Sequence, residues 1–307
     1  MLPGMKSTMS IVMAAALISG VALAGVESEE GWHFGMPDTG LMPSFAKAEF
    51  FSQMKERHGD ASDLSMQSYG IMVPFLDPRK SGTGDTYINF QLDAKVTVVN
   101  AGGSFRLQND TLYNLAMPLT FITSMPGGNT WTYGVSPELA SDSEAACKGL
   151  DLTAYAFYSV KASDTFSYSL GLALSPRFME YWVLPIVRFD WKPCEQWTVS
   201  LKGYELKAMY QATDRLAVGA FLSARGGIWA VDTERGERFL RIRSLVLGAA
   251  FDYDFSSPGQ TKRLFSAAIG STLATHAQFC ERGSMDGYEN HHYKPGFYVS
   301  AEVDFRF

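Results

Sequence analysis

Nucleophilic catalysis needs a serine, threonine or cysteine beside a base that a third group orients. The chain has five histidines to serve as that base: His33, His58, His276, His291 and His292. His276 follows Thr275 and lies near Ser271, which makes it the best single candidate. No pattern of a barrel hydrolase surrounds it, and a rim histidine touching water or headgroups is the plainer reading, so no catalytic residue is assigned. Metal chemistry has one candidate stretch, Gln278 to Pro295, which holds Cys280, Glu281, Asp286, Glu289, His291 and His292. Adjacent histidines in an extended chain point to opposite sides, so His291 and His292 do not share one ion. A long surface loop explains the stretch, and neither a metal nor another cofactor is assigned. Gly82-Thr83-Gly84 lacks the helix and further glycine of a phosphate loop and reads as a turn.

A third group of residues bears on passage rather than reaction. Arg188, Asp190, Lys202, Glu205, Lys207, Arg241 and Arg243 stand in or near apolar alternating stretches. In hydrocarbon an arginine or lysine at the midplane costs about 2–4 kcal/mol, so these side chains are expected to face an interior. They could line water and bias which solutes pass, as charged side chains do in channels. They could equally pair with one another as a closed, salt-bridged core. Both readings stand at this point.

The elements that position these charges are strands. The last eleven residues alternate strictly: Phe297, Val299, Ala301, Val303, Phe305 and Phe307 share one face, opposed by Tyr298, Ser300, Glu302, Asp304 and Arg306. Tyr87 to Val99 does the same, with Ile88, Phe90, Leu92, Ala94, Val96 and Val98 against Asn89, Gln91, Asp93, Lys95 and Thr97. Leu152 to Val160 and Phe166 to Leu174 form a hairpin across the turn Lys161–Asp164. Trp191 and Trp197 flank the turn Lys192–Gln196 and, with Phe305 and Phe307, are expected at membrane interfaces. Three places resist the pattern. Pro185 falls within a strand, Trp197–Tyr210 is either one strand or two meeting at Gly203, and Phe239–Phe255 changes phase near Ser244–Gly248, as a bulge would make it. About twelve strands are expected, within a range of about ten to fourteen, and an even number suits a closed barrel.

The N-terminus fits export. Lys6 is the only charge before Glu27, an apolar stretch runs from Ile11 to Leu23, and Ala22 and Ala24 give a small-x-small cleavage pattern. Residues 1–24 are therefore expected to be a cleaved signal peptide, and 25–307 one barrel domain with a loose lead-in over 25–42. Loss of Lys6 takes the net charge from -6 to -7, and no basic stripe suits nucleic acid. Past Gly25 no apolar run is long enough for a spanning helix. The three cysteines, Cys147, Cys194 and Cys280, form at most one disulfide, with Cys147 and Cys280 the candidate pair.

Trp182 to Asp254 resembles a family of bacterial outer-membrane barrels known only as a domain of unknown function. The resemblance rests on Phe189, Trp191, the Lys192–Gln196 turn, Trp197, and the basic Arg241–Gly248 lead into Phe255, and covers about the C-terminal half. It implies a barrel and carries over no functional residue. The expectation is thus a single transmembrane antiparallel β-barrel of the bacterial outer membrane, closed by the strand ending in Phe307. Its expected partners are outer-membrane lipid and lipopolysaccharide, the barrel insertion machinery through that last strand, and small polar solutes. A non-enzymatic passage protein is the leading reading, an occluded structural barrel the second, and an outer-membrane hydrolase the third.

Overall fold

The computed structural model describes residues 43–57, 63–80, 86–102, 107–142, 145, 148–175, 182–233, 236–256, 262–280 and 288–306. The expected leader, the lead-in, Gly82–Gly84, Cys147 and Phe307 lie outside them. In chain order the strands are β1 (Pro43–Lys55), β2 (Asp63–Lys80), β3 (Thr86–Ala101), β4 (Thr111–Ala116), β5 (Leu119–Ser124), β6 (Thr130–Ser141), β7 (Leu150–Lys161) and β8 (Phe166–Ser175). They continue with β9 (Trp182–Cys194), β10 (Trp197–Lys202), β11 (Glu205–Thr213), β12 (Leu216–Thr233), β13 (Gly236–Asp254), β14 (Lys262–Cys280), β15 (Tyr288–Tyr293) and β16 (Phe297–Arg306). Among the described residues no helix is long and apolar enough to cross a membrane.

Apart from β4 with β5 and β15 with β16, consecutive strands pair antiparallel, and β16 pairs with both β14 and β1, closing the ring. The sixteen strands fill fourteen places, because β4 and β5 share one and β15 and β16 share another. Both breaks contain a proline, Pro118 and Pro295, which cannot donate to a ladder. The ring thus stands at the upper end of the expected range rather than at twelve. Trp197–Tyr210 is two strands, with Gly203 in the left-handed region (φ 58°) at their turn.

Burial is inverted relative to a soluble protein. Along β3 the buried positions include Asn89, Gln91, Asp93, Lys95 and Thr97, while Tyr69, Ile71 and Val73 on β2 and Leu170, Leu172 and Leu174 on β8 are exposed. Along these stretches the apolar face therefore looks outward and the polar face inward, as a bilayer requires. Closure satisfies backbone groups that lipid could not.

The barrel is not a plain cylinder. The rim carrying Pro43 and Arg306 will be called the termini end, and the opposite rim the loop end. Toward the loop end β12 loses its β11 neighbour, with Ser223 opposite Glu205 and a last bond from Ala224 N to Tyr204 O. Gly226 and Gly227 follow, and Gly226 has φ 138°, where a side chain is strained. Beyond them β12 meets β6 instead, as Ala230 bridges Ser141 in parallel. Asp142 fastens this seam. Its backbone N–H donates to Ala230 O at 2.9 Å, and its carboxylate accepts from Ala145 N at 2.8 Å and Asp232 N at 2.9 Å. Trp229, fully buried, donates from Nε1 to Asn114 Oδ1 at 2.6 Å. The loop end is thereby narrowed to the strands from β12 round to β6, around an apolar core that includes Phe51, Leu64, Leu112, Trp229, Leu240 and Phe279. Strands β7 to β11 form a lower arc beside it.

Candidate functional site

Alternation from exposed Phe50 puts Lys47, Glu49 and Phe51 of β1 on the inner wall. Glu49 accepts from Tyr298 Oη at 2.6 Å, and Lys47 Nζ stands 3.4 Å from Glu49 and 3.8 Å from Glu302. Arg225 reaches this group from β12, with Nε 3.7 Å from Glu49, and its other end binds Glu205 on β11. Three strands, β13, β14 and β16, separate β12 from β1 in the wall, so Arg225 crosses the lumen. Aromatic rings fill the same level, Tyr298 lying 4.9 Å from Phe51 and 6.0 Å from Phe221 between centroids.

The arc from β9 to β13 holds more accessible charges. Lys207 binds Asp252 through both carboxylate oxygens, at 3.0 and 2.9 Å, and Lys202 stands 3.3 Å from Asp190. The Lys202 and Asp190 side chains keep 51% and 37% of their surface accessible although they alternate with outward Leu201 and Phe189. Arg188, two residues along from Asp190, is instead buried with its guanidinium 5.6 Å over the Phe157 ring.

The structure thus places Arg188, Asp190, Lys202, Glu205 and Lys207 on the inner face. Arg241 and Arg243 require correction. The β12–β13 register is unbroken from Leu216↔Tyr253 to Thr233↔Gly236, and it sets Ser244 opposite Arg225 on the inner face. Arg241 and Arg243 alternate with core residues Leu240 and Ile242 and with Ser244, and so lie on the outer face. The phase change expected within Phe239–Phe255 is absent: the irregularity between Leu245 and Val246 puts the extra residue, Leu273, in β14 instead. The argument that a charge must face inward failed because this part of the outer face is covered: Arg241 is buried, and Ile228, Ala230, Phe239 and Cys280 on the same face pack with Ala145. Lys47, Glu49, Arg225 and Asp252 were missed. Strand period gives each a face, but nothing local reports which strands meet across a lumen.

Trp191 and Trp197 are exposed on the outer face at the termini end, Trp197 against Tyr210 at 5.4 Å between ring centroids. Phe305 pairs in register with Ser44 and Arg263. His276 is an exposed outer-face residue, its ring edge-on to His292 at 4.2 Å. Thr275 points the other way to Ser244 at 2.9 Å, and Ser271 donates to Gly296 O at 3.1 Å, so neither hydroxyl is set up for an imidazole base. His291 is buried, with Nδ1 2.9 Å from Glu56 Oε1, and thus on the opposite face from His292, as extended chain demands. Glu281 and Asp286 lie outside the described residues. Cys194 is exposed, Cys280 is buried, and neither is in a disulfide.

A closed sheet with an apolar exterior and a charged interior is a transmembrane barrel, and the protein is a bacterial outer-membrane protein. Comparison with curated proteins gives no match. Solved structures similar to it include an outer membrane channel from Pseudomonas putida F1, 9% identical, covering 88% of this chain and 99% of that one at a TM-score of 0.47. A KdgM porin is 10% identical, covering 87% and 99% at 0.34, and the Pseudomonas putida toluene transporter TodX is 9% identical, covering 88% and 89% at 0.33. At these values the likenesses lend no weight to what those proteins carry. The resemblance first read in the C-terminal half extends much further: over residues 50–306 the chain matches, and so belongs to, the family described as a domain of unknown function, DUF6268.

Proposed function

We propose that this protein is a non-enzymatic outer-membrane barrel that passes small polar solutes through the charged half of its lumen, on the β9–β13 side. One observation carries the reading: Asp190 and Lys202 face inward yet stay accessible, whereas Lys47, Glu49 and Arg188 on other parts of the inner wall are buried. Asp190, Lys202, Glu205, Lys207 and Asp252 then set the local charge along the path. The acidic and basic members nearly balance, so weak ion selectivity is expected.

A second reading, a closed structural barrel, is favoured by Arg225, which ties β12 to β1 and β11 through the lumen. Single-channel recording in planar bilayers separates the two. The expected result is small discrete steps from the wild type, larger ones from Arg225→Ala, and a changed ion preference for Lys207→Glu. Silence from both the wild type and Arg225→Ala, each shown to be folded by heat-modifiable migration on a detergent gel, would leave the structural reading in place.

A further inference from the structure

From β13 round to β1 the outer face changes character toward the loop end. Exposed Leu247, Leu273 and Phe297 give it an apolar band, as acyl chains require. Beyond that band the outward positions are basic. Arg243 pairs in register with His276, and His276 with His292. The bridge Glu56↔Tyr293 extends the ladder past the end of β1, where Arg57 N donates to His292 O at 2.7 Å and Lys294 N to Lys55 O at 2.8 Å. Met54 and Tyr293 are buried and Glu56 binds buried His291, so Lys55, Arg57, His292 and Lys294 look outward.

Six basic side chains therefore share one face. Arg243, His276, His292 and Arg57 form a row over three strand spacings, about 14 Å, and Lys294 and Lys55 stand about 7 Å nearer the apolar band. Arg243 is half-buried, and the other five are exposed. On the inner wall Lys47, Lys202 and Lys207 each stand against a carboxylate. Among the described residues, by contrast, Lys55, Arg57 and Lys294 are in no ion pair, and the charged neighbours of His276 are His292, Arg243 and Arg57. Asp63, opposite Lys55 on β2, is the carboxylate at this edge, and Gln53 donates to it at 2.6 Å. Cations gathered on one face repel one another, and an anion laid across them relieves that repulsion.

The level of the row identifies the anion. Bacterial barrels carry short turns on the periplasmic side and longer loops outside. The two longest connections here, 102–110 and 142–149, are at the loop end, which puts the row at the headgroups of the outer leaflet. We infer that this face binds the phosphorylated headgroup of lipid A, the acylated glucosamine disaccharide that anchors lipopolysaccharide in that leaflet. Arg243, Arg57, Lys294 and Lys55 make charge-assisted hydrogen bonds to phosphate oxygens, and His276 and His292 donate between them. The acyl chains lie along Leu247, Leu273 and Phe297, a contact that free phosphate could not use. The site is outside the lumen and holds whether or not the barrel conducts.

The test is native mass spectrometry of full-length protein refolded into detergent free of lipopolysaccharide. The probes are bis-phosphorylated lipid A, its monophosphoryl form and phosphatidylglycerol. The wild type is expected to bind the bis-phosphorylated form several-fold more tightly than either of the others. Arg57→Gln combined with Lys294→Gln should weaken that binding about tenfold or more. Lys55→Gln combined with Arg57→Gln should do the same, so a variant that fails to fold leaves the other to decide. Lys192→Gln combined with Arg215→Gln, which removes two exposed cations at the termini end, should leave binding unchanged. Folding of each is checked by heat-modifiable migration. Equal binding of lipid A and phosphatidylglycerol, or full lipid A binding by the folded row variants, would overturn the site.

Discussion

Arg225 joins parts of the wall that no backbone hydrogen bond connects. It is held by Glu49 on one side and Glu205 on the other, with Tyr298 and Lys47 completing the shell around Glu49. Replacing one member of a buried ion pair by alanine typically costs about 3–5 kcal/mol, because the remaining charge keeps its desolvation penalty. Here Lys47 and Tyr298 still serve Glu49, so Arg225→Ala is expected at the lower end of that range in urea unfolding from vesicles. Combining it with Glu49→Gln should cost less than the two single changes added together, since both break one interaction. Additive losses would show that Arg225 acts through Glu205 alone. Trp229 offers a cleaner separation of polar and apolar contributions. Trp229→Phe keeps a ring in the core and loses the Asn114 hydrogen bond, expected to cost about 1 kcal/mol. Trp229→Ala also opens a cavity, expected to cost about 3–5 kcal/mol. Equal losses for the two would assign the whole contribution to the hydrogen bond.

Among the elements, the seam of β12 on β6 depends on a glycine that the alternating pattern of the strand does not ask for. A Cβ at Gly226 would sit at φ 138° and meet the carbonyl of Ile242. Gly226→Ala is therefore expected to cost about 1–3 kcal/mol and to loosen the ties at Asp142, Ala230 and Asp232. Protease cleavage near Asp142 or Asp232 should appear in the variant at concentrations that leave the wild type intact. Gly102→Ala, where an added Cβ meets Asp63 backbone at an ordinary 3.7 Å, should cut like the wild type. If both variants cut alike, the bend at Gly226 is not what holds the seam. The same strands show what was legible in advance. Period-two alternation was enough to place Asp190, Lys202, Glu205 and Lys207 inside, and Gly203 marked the turn that divides β10 from β11. Pro185 looked like a contradiction until β9 was seen to be paired there with β8 alone, its β10 pairing ending at Phe189. Arg241 and Arg243 were misread because the rule used for them assumes that an outward face meets lipid, and the sequence does not show that the chain around Ala145 covers that face. The seam was invisible, since it joins residues about ninety positions apart with no local trace.

For the molecule as a whole, closure rests on β16, which is paired on both sides along nearly its full length. Its partners run from Phe51↔Tyr298 to Pro43↔Arg306 in β1, and from Ser271↔Phe297 to Lys262↔Arg306 in β14. Removing residues 297–307 would leave two long edges facing lipid, a condition that closed barrels exist to avoid. That truncation is expected to give no heat-modifiable band after refolding in detergent. Deleting Phe307 alone poses a different question, because the described ladder runs to Arg306 on both sides and Phe307 lies outside the described residues. If the terminal aromatic serves as a signal to the insertion machinery rather than as a part of the wall, the two settings should disagree. The purified variant should refold and migrate as a closed barrel, while the same variant expressed in a Gram-negative cell should reach the outer membrane in reduced amount. Failure in both settings would make Phe307 a structural residue of the closing strand. Normal insertion in the cell would remove it from the assembly step altogether, and the signal would then have to lie in the alternation from Phe297 to Phe305.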